Sequence, residues 1–272
     1  MKNIGLIIIV IIFILSCDKV EKPYAEEGVW ISTGKKVLIE EFTGFKCGNC
    51  PSAHEIIKTL SEKYGDQVIP VAIHVGWYAD TIVSGDPNFK TGIGDTLNNK
   101  FKAEDNGLPV GMINRFKTDN NYLISPGSWA SVIDSALRSY PKANIIIENQ
   151  YDTVTRVLTT TISTEVLQKL NGEIYLVAYI LEDSIVGKQL TYTPSNEWIP
   201  DYMHRHVLRG HINGIWGEKV AEGETPIGNT FEKQYTSTLD DDWNQKKCHI
   251  VAYIYIRETL EIIQAETKYV IE

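Results

Sequence analysis

The sequence predicts an α/β domain followed by an all-β domain. Two observations lead to this prediction: a strand–helix–strand pattern surrounds a Cys-x-x-Cys motif in the first half, and β-rich segments fill the chain after residue 142. With 272 residues, 43% of them hydrophobic, the chain is long enough for two domains with substantial cores. We place the first domain at residues 35–141 and the second at residues 142–272.

A short N-terminal leader precedes these domains. Lys2 is followed by an apolar run over residues 4–15, which is typical of a signal-peptide core. The run ends in Ile14-Leu15-Ser16-Cys17, which resembles the lipobox of bacterial lipoproteins. That resemblance implies cleavage after residue 16, lipidation of Cys17 and a polar tether over residues 17–34. The alternative is an ordinary signal peptide with an incidental cysteine.

Charge and cysteine content exclude two classes of protein. The chain has 26 Lys+Arg and 35 Asp+Glu, a net charge of −9, and no basic block. This balance argues against nucleic-acid partners. Four cysteines are too few for a small scaffold held together by disulfides.

The Cys-x-x-Cys motif lies where a predicted strand meets a predicted helix. Residues 37–42 (V-L-I-E-E-F) form the first strand, residues 53–64 the helix and residues 68–75 the second strand. At a helix N-terminus the dipole and free N–H groups stabilise a thiolate, and Lys46 adds a positive charge. We therefore expect Cys47 to be the nucleophile and Cys50 the resolving thiol. A structural disulfide that never turns over is the alternative; zinc is disfavoured because no second Cys or His pair follows at finger spacing.

Three further features accompany the motif: Glu41 six residues before Cys47, the segment Gly107-Leu108-Pro109-Val110 before a short strand, and a closing helix over residues 126–140. Together with the motif they resemble the thioredoxin superfamily. The resemblance implies that Glu41 handles the proton of Cys50, that Pro109 is a cis-proline beside the cysteines, and that the backbone of Leu108 pairs with substrate. Alternatively, Glu41 is an ordinary strand-end carboxylate and Pro109 a trans loop proline.

Two departures from that family's pattern stand out. Lys46 replaces the usual aromatic residue, and the central dipeptide is Gly48-Asn49, so the sequence leaves the direction of any redox reaction open. Residues 75–100 are longer than the fold needs. We interpret them as an insertion near the motif, with Trp77 as a candidate substrate contact.

The second domain is predicted from six β-rich segments separated by turn residues. They cover residues 143–150, 154–163, 173–181, 231–239, 248–257 and 261–271. This number of antiparallel strands favours an immunoglobulin-like β-sandwich. His204 and His206 would share one face of a strand, either as a hydrogen-bonded pair or as metal ligands, and we expect no metal there. Cys248 is expected in the core.

Taken together, the lipobox, the Cys-Gly-Asn-Cys-Pro motif, G-L-P-V-G-M-I-N-R (residues 107–115) and H-R-H-V-L-R (residues 204–209) resemble the outer membrane protein 28-related lipoproteins of Bacteroidetes. The resemblance implies lipid attachment to the outer membrane, on its periplasmic or its outer side.

Two functions remain open at this stage. In the first, Cys47, Cys50, Glu41 and Pro109 carry out thiol–disulfide exchange on protein thiols or disulfides, without a cofactor. In the second, the chain is a binding or adhesion lipoprotein for an extracellular protein, with the disulfide as a structural element. Copper handling by the cysteines and a histidine is a third alternative, which no methionine cluster supports. Exchange requires an accessible Cys47 beside a cis-Pro109, whereas the binding protein predicts a covered pair, with residues 76–100 as the expected cover.

Overall fold

The computed structural model describes residues 34–82 and 86–271. The predicted signal peptide, the lipidation site Cys17 and all but the last residue of the predicted tether lie outside these residues. No helix in the described part of the chain is both long and apolar enough to span a membrane.

The first half contains the two strands and the helix predicted around the motif, the short strand after Pro109 and the closing helix, with shifted ends, together with helix α2. They are β1 (Val37–Thr43), α1 (Cys50–Tyr64), β2 (Val68–His74), α2 (Gly92–Phe101), β3 (Val110–Ile113) and α3 (Pro126–Leu137). Short 3₁₀ turns cover Gly65–Gln67, Gly76–Ala79 and Glu104–Asn106. Helix α1 tolerates Pro51 because it lies in the first turn, and it ends at Gly65, whose φ of 60° favours glycine.

The second half consists of strands. They are β4 (Ala143–Tyr151), β5 (Val157–Val166), β6 (Leu170–Asn171), β7 (Ile174–Glu182), β8 (Ile185–Thr191), β9 (Glu197–His204), β10 (Val207–His211), β11 (Glu218–Ala221), β12 (Glu224–Thr225), β13 (Thr230–Thr238), β14 (Cys248–Ile256) and β15 (Ile262–Tyr269). All six predicted β-rich segments are strands, whereas β6 and β8 to β12 were not predicted.

One sheet runs through both halves of the chain. Its order is β15-β14-β7-β10-β2-β1-β3, with β11 also paired to β7. Strand β10 joins the halves by pairing parallel to β2 at Val207 and Ala72. The sheet therefore crosses the boundary that we predicted at residues 141/142, and the described residues belong to one compact unit. Strands β7 and β14 are buried on both faces, so their sequences cannot show which sheet they join.

Both faces of this sheet are covered. On one face, α2 packs on a core built from both halves, which includes Phe42, Leu97, Tyr179 and Tyr253. On the other face, α1 and α3 cover β1 around Trp129. Beside them, a three-stranded sheet, β13-β5-β4, covers β7 and β14. The second half thus contains two sheets packed face to face, but the larger of the two also includes β1, β2 and β3 of the first half.

A buried ion pair of the first half reaches the second half through Tyr253, within the α2-facing core. The Arg115 guanidinium donates to both carboxylate oxygens of Glu40 at 2.6 and 2.7 Å, and to the Tyr253 hydroxyl at 2.9 Å. Both charged side chains are at most 1% exposed. Tyr253 in turn donates to Tyr179 at 3.1 Å. The ion pair was not predicted from the sequence.

Candidate functional site

The two motif cysteines form a disulfide at the start of α1. Cys50 is the first residue of the helix, and the Cα atoms of Cys47 and Cys50 are 5.4 Å apart. We call residues 43–50, which connect β1 to α1, the CxxC loop. It is tightly turned: Cys47 N donates to Gly44 O and Cys50 N donates to Cys47 O, both at 3.1 Å. Cys47 is 2% exposed and Cys50 is fully buried. The sulfur pair is therefore covered, as the binding function predicts, and Cys47 does not have the exposure that exchange was expected to require.

The Leu108–Pro109 segment lies at the same end of the sheet as the CxxC loop. Strand β3 runs antiparallel to β1, and Val110 pairs with Phe42, the penultimate residue of β1. Pro109 directly precedes Val110, so it lies beside the point where β1 leads into the loop. The Leu108–Pro109 peptide bond is cis, which confirms that expectation. No observation tests the predicted role of Leu108 in substrate binding.

Glu41 lies beneath the first turns of α1. It is 2% exposed, and its position on β1 has the same parity as Val37 and Ile39, which face α1. His54 Nε2 lies 3.2 Å from Glu41 Oε1. Because residues four apart share one helix face, Cys50 and His54 lie on the same side of α1, above this carboxylate. The proton transfer between Glu41 and Cys50 remains a prediction.

His54 connects Glu41 to the second half of the chain. Its Nε2 is also 3.1 Å from Thr43 Oγ1, and its Nδ1 is 2.6 Å from the Tyr202 hydroxyl. Burial acts to lower the pKa of His54, but the carboxylate of Glu41 outweighs it and the pKa is raised. The sequence analysis missed both His54 and Tyr202. The four-residue spacing from Cys50 to His54 is the signal that could have identified the histidine.

A two-stranded hairpin covers the disulfide. We call residues 185–204, which comprise β8, β9 and their turn, the covering hairpin. Leu190 N donates to Phe45 O and Tyr192 N donates to Gly48 O, both at 2.8 Å. The amide nitrogen of Gln189 donates to the carbonyls of Gly44 (3.2 Å) and Cys47 (3.0 Å).

The covering hairpin also explains the small residue at position 48. A Cβ atom on Gly48 would overlap the Tyr192 ring. The cover that we expected from residues 76–100 is therefore supplied mainly by residues 185–204. From the described residues of the inserted segment, Tyr78 contributes a backbone contact, in which Lys46 N donates to Tyr78 O at 3.1 Å. Long-range pairing of this kind leaves no local signal in the sequence.

Trp77 lies beside the CxxC loop but does not cover it. Its side chain is 59% exposed, and Lys46 Nζ lies 4.6 Å from the ring centroid. Lys46 Nζ is also 3.8 Å from Asp80. An exposed aromatic ring next to the motif fits the predicted contact role, which remains a prediction.

A cavity of about 550 Å³ lies behind the disulfide, between α1, β2 and the end of the covering hairpin. Its lining includes Glu41, His54, His74, Tyr202 and His204. No group of three or more His, Cys, Asp or Glu in the described part of the chain is arranged to hold a metal ion.

The two histidines that we expected on one strand face are separated in the structure. Strand β9 ends at His204, and His206 has a φ of 53°, which breaks the alternation. The His204 ring packs 5.7 Å from that of His74, and the His206 ring packs 6.2 Å from that of His249. Burial lowers the pKa of His204 to about 3 and holds that of His74 well below its usual range, so both rings are neutral near pH 7.

Cys248 is a free cysteine in the core, as predicted. It lies in the layer between β14 and the three-stranded sheet. Burial raises the pKa of its thiol to about 12. The residue is therefore inert near neutral pH, unlike a redox-active thiol.

Comparisons with known proteins identify the family. The family model of the outer membrane protein Omp28 matches residues 94–272, so the chain belongs to the Omp28 family of outer membrane proteins. A search of curated proteins found no match. Family membership supports a location in the cell envelope at the outer membrane.

Among solved structures, HBP35 of Porphyromonas gingivalis is similar with a TM-score of 0.60 at 20% identity, over 88% of this chain and 76% of that one. An Agrobacterium tumefaciens protein has a TM-score of 0.51 at 12% identity, over 88% and 96% of the two chains. A domain of the outer membrane lipoprotein Omp28 from P. gingivalis matches 48% of this chain and 89% of its own at 21% identity, with a TM-score of 0.34. At these identities the likeness to the first two concerns the fold alone.

Proposed function

We propose that this Omp28-family chain carries out thiol–disulfide exchange through Cys47 and Cys50. The observation that carries the proposal is the disulfide at the first turn of α1, one turn before His54, which lies 3.2 Å from the buried carboxylate of Glu41. A structural crosslink does not require an ionisable group beneath it, whereas a resolving cysteine requires a proton donor and acceptor. The strand–helix–strand unit and the adjacent Pro109 support a thioredoxin-like arrangement of residues 37–137.

The chemistry assigns one role to each residue. A substrate thiolate attacks the Cys47 sulfur, the Cys47–Cys50 bond breaks, and Cys50 leaves as a thiolate that takes a proton from Glu41. The second substrate thiol then displaces Cys47 and closes the substrate disulfide, so two electrons pass from substrate to protein. In the reverse sequence the Cys47 thiolate attacks a substrate disulfide, and Cys50 then displaces the substrate thiol and re-forms the Cys47–Cys50 bond, so two electrons pass from the protein to the substrate. Leu108 and Trp77 would contact the substrate polypeptide.

The covering hairpin sets a condition on this reaction. Cys47 is 2% exposed because β8 is hydrogen-bonded to the CxxC loop, so a protein substrate reaches the sulfur only after the hairpin moves. The contacts to be broken include four hydrogen bonds to the CxxC loop, each contributing about 0.5–1.5 kcal/mol. They also include the packing of the Tyr192 ring on Gly48 and of the His204 ring on Phe45. Exchange therefore requires local unfolding at this edge.

The proposal also includes attachment to the outer membrane through a lipid on Cys17. Membership in an outer membrane protein family supports the location, and the lipobox-like residues 14–17 support the anchor. Two or more acyl chains would hold such a protein stably, since each buried CH₂ contributes about 0.8 kcal/mol.

A redox titration tests the proposed function. The full chain is equilibrated in glutathione buffers of stepped potential, and the state of Cys47 and Cys50 is followed by alkylation and peptide mass. We expect a midpoint between about −120 and −270 mV, the range of catalytic dithiols, with Cys47 alkylated first. A midpoint below about −300 mV, or thiols that alkylate only after unfolding, contradicts the proposal.

One observation favours a second function, in which the protein binds an extracellular protein and the disulfide is structural. The covering hairpin hides the sulfur pair while it exposes Val186, Trp198 and Met203, each more than 40% accessible. Exposed apolar side chains grouped on one hairpin are typical of protein contact surfaces. The low-potential outcome of the titration would support this function.

A further inference from the structure

The feature that carries a further inference is the line of polar groups behind the disulfide. Glu41 is buried under α1, and its Oε1 atom has no aligned hydrogen-bond partner. The covering hairpin closes the front of the CxxC loop. If Glu41 exchanges protons with Cys50, it therefore needs another route to solvent.

His54 and Tyr202 lie along that route. His54 Nε2 is 3.2 Å from Glu41 Oε1, and His54 Nδ1 is 2.6 Å from the Tyr202 hydroxyl. Glu41, His54 and Tyr202 all line the 550 Å³ cavity, and the His54 side chain is 19% exposed. Nε2 is also 3.1 Å from Thr43 Oγ1, so its proton can turn from that hydroxyl to the carboxylate, which lies at a similar distance, and the ring adjoins the cavity.

The surroundings of His54 single it out among the histidines of this cavity. The titratable and charged groups that line the cavity around it come from β1, α1, β2, β9 and the turn after β9: Glu41, Glu55, Lys58, Glu62, His74, Tyr202, His204, Arg205 and His206. Burial lowers the pKa of His74, His204 and His206. The pKa of His54 is instead raised, because Glu41 lies beside it. Burial raises the pKa of Tyr202, so its hydroxyl stays neutral and can hydrogen-bond to the imidazole of His54.

We propose that His54 is a positioning residue that passes protons between Glu41 and the cavity, with Tyr202 holding the imidazole in place. The inference rests on the proposed thiol–disulfide exchange. When a dithiol reduces the disulfide, the Cys47–Cys50 bond breaks and Cys50 leaves as a thiolate. The proton of the His54 imidazolium passes to the Glu41 carboxylate and from there to the Cys50 thiolate. The imidazole then takes a proton from water in the cavity, while the dithiol closes its own disulfide and releases its protons to solvent.

The test measures single-turnover reduction of the disulfide in the full chain by dithiothreitol between pH 5.5 and 8.5, quenched by alkylation and read by mass. Rates are divided by the thiolate fraction of the reductant. For the unmodified chain the corrected rate is expected to fall as the pH rises through the pKa of His54. His54→Gln should abolish that inflection and lower the rate at pH 6.5 by about 10²-fold, the lower end for proton-transfer catalysis.

Matched variants separate proton transfer from structural damage. His211→Gln, at the exposed end of β10, should keep the unmodified profile. Added imidazole should restore part of the rate of His54→Ala, because the adjoining cavity has room for it. Tyr202→Phe should keep the inflection at a shifted pH. Far-ultraviolet circular dichroism checks that each variant is folded.

Two failures can be told apart. If the unmodified chain exchanges with dithiothreitol but His54→Gln has the same pH profile and rate, the proton route is wrong and the proposed function stands. If the unmodified disulfide does not exchange in the folded chain at any pH, the proposed function fails and the proton route fails with it.

Discussion

Replacing Glu40 by glutamine should destabilise the whole protein strongly. The substitution keeps the shape of the side chain but leaves the fully buried Arg115 guanidinium beside a neutral amide. Breaking a buried ion pair by removing one partner costs about 3–5 kcal/mol, because an uncompensated charge stays in the core. With a urea m-value of about 3 kcal/mol/M, the unfolding midpoint should drop by about 1 to 2 M.

Glu224→Gln is the matched control for this measurement. Glu224 pairs with Lys169 at 3.2 Å, and both side chains are more than half exposed, so its loss should cost less than about 1 kcal/mol. Unfolding followed by tryptophan fluorescence and by circular dichroism should give one shared transition in all three proteins, because one sheet runs through both halves of the chain. Equal midpoints for Glu40→Gln and Glu224→Gln, or two separate transitions, would refute the reasoning.

Three further predictions follow from buried groups. Burial lowers the pKa of His204 to about 3 and that of His249 to about 4. Both pKa values lie near 6.5 in the unfolded chain. Between the folded and the unfolded pKa, the unfolded chain therefore binds more protons than the folded one. The free energy of unfolding, measured by urea titration, should therefore be lower at pH 5 than at pH 7.5, and this difference should be smaller in His204→Phe. An equal difference in the variant and the unmodified chain would contradict this. Gln189→Ala removes two hydrogen bonds to the CxxC loop and should speed reduction of the Cys47–Cys50 disulfide by dithiothreitol severalfold. The control is Gln234→Ala, at an exposed position. Equal rates in the two variants would show that the covering hairpin does not limit access to the disulfide. Cys248 should react with iodoacetamide at pH 8 only in urea, and native labelling would place it outside the core.

The elements around the disulfide were predictable because their signals are local. A strand, a Cys-x-x-Cys motif and a helix follow one another within residues 37–64, and the same spacing places Glu41 below the helix. The alternation of strand residues also implies that Glu40 and Glu41 face opposite sides of the sheet. Alternation alone does not reveal the buried partner of Glu40, because Arg115 lies 75 residues away in the sequence.

The cover of the site was not predictable in this way. Strand β8 contains Gly187, Lys188 and Gln189, and β9 contains Pro200 and Asp201, so neither has the apolar alternation of a core strand. The two strands are stabilised by each other and by the CxxC loop, more than 140 residues away in sequence. Likewise, β7 and β14 are apolar on both faces, which hides the fact that they extend the first sheet.

The central claim is that the Cys47–Cys50 pair turns over in the folded protein. The most direct measurement is the initial rate at which the full chain catalyses glutathione-driven disulfide exchange in a two-cysteine peptide, compared with Cys47→Ser and Cys248→Ala. The account predicts a rate above background that is proportional to protein concentration, lost in Cys47→Ser and kept in Cys248→Ala. A rate equal to background in the unmodified chain, or one that survives in Cys47→Ser, would contradict it.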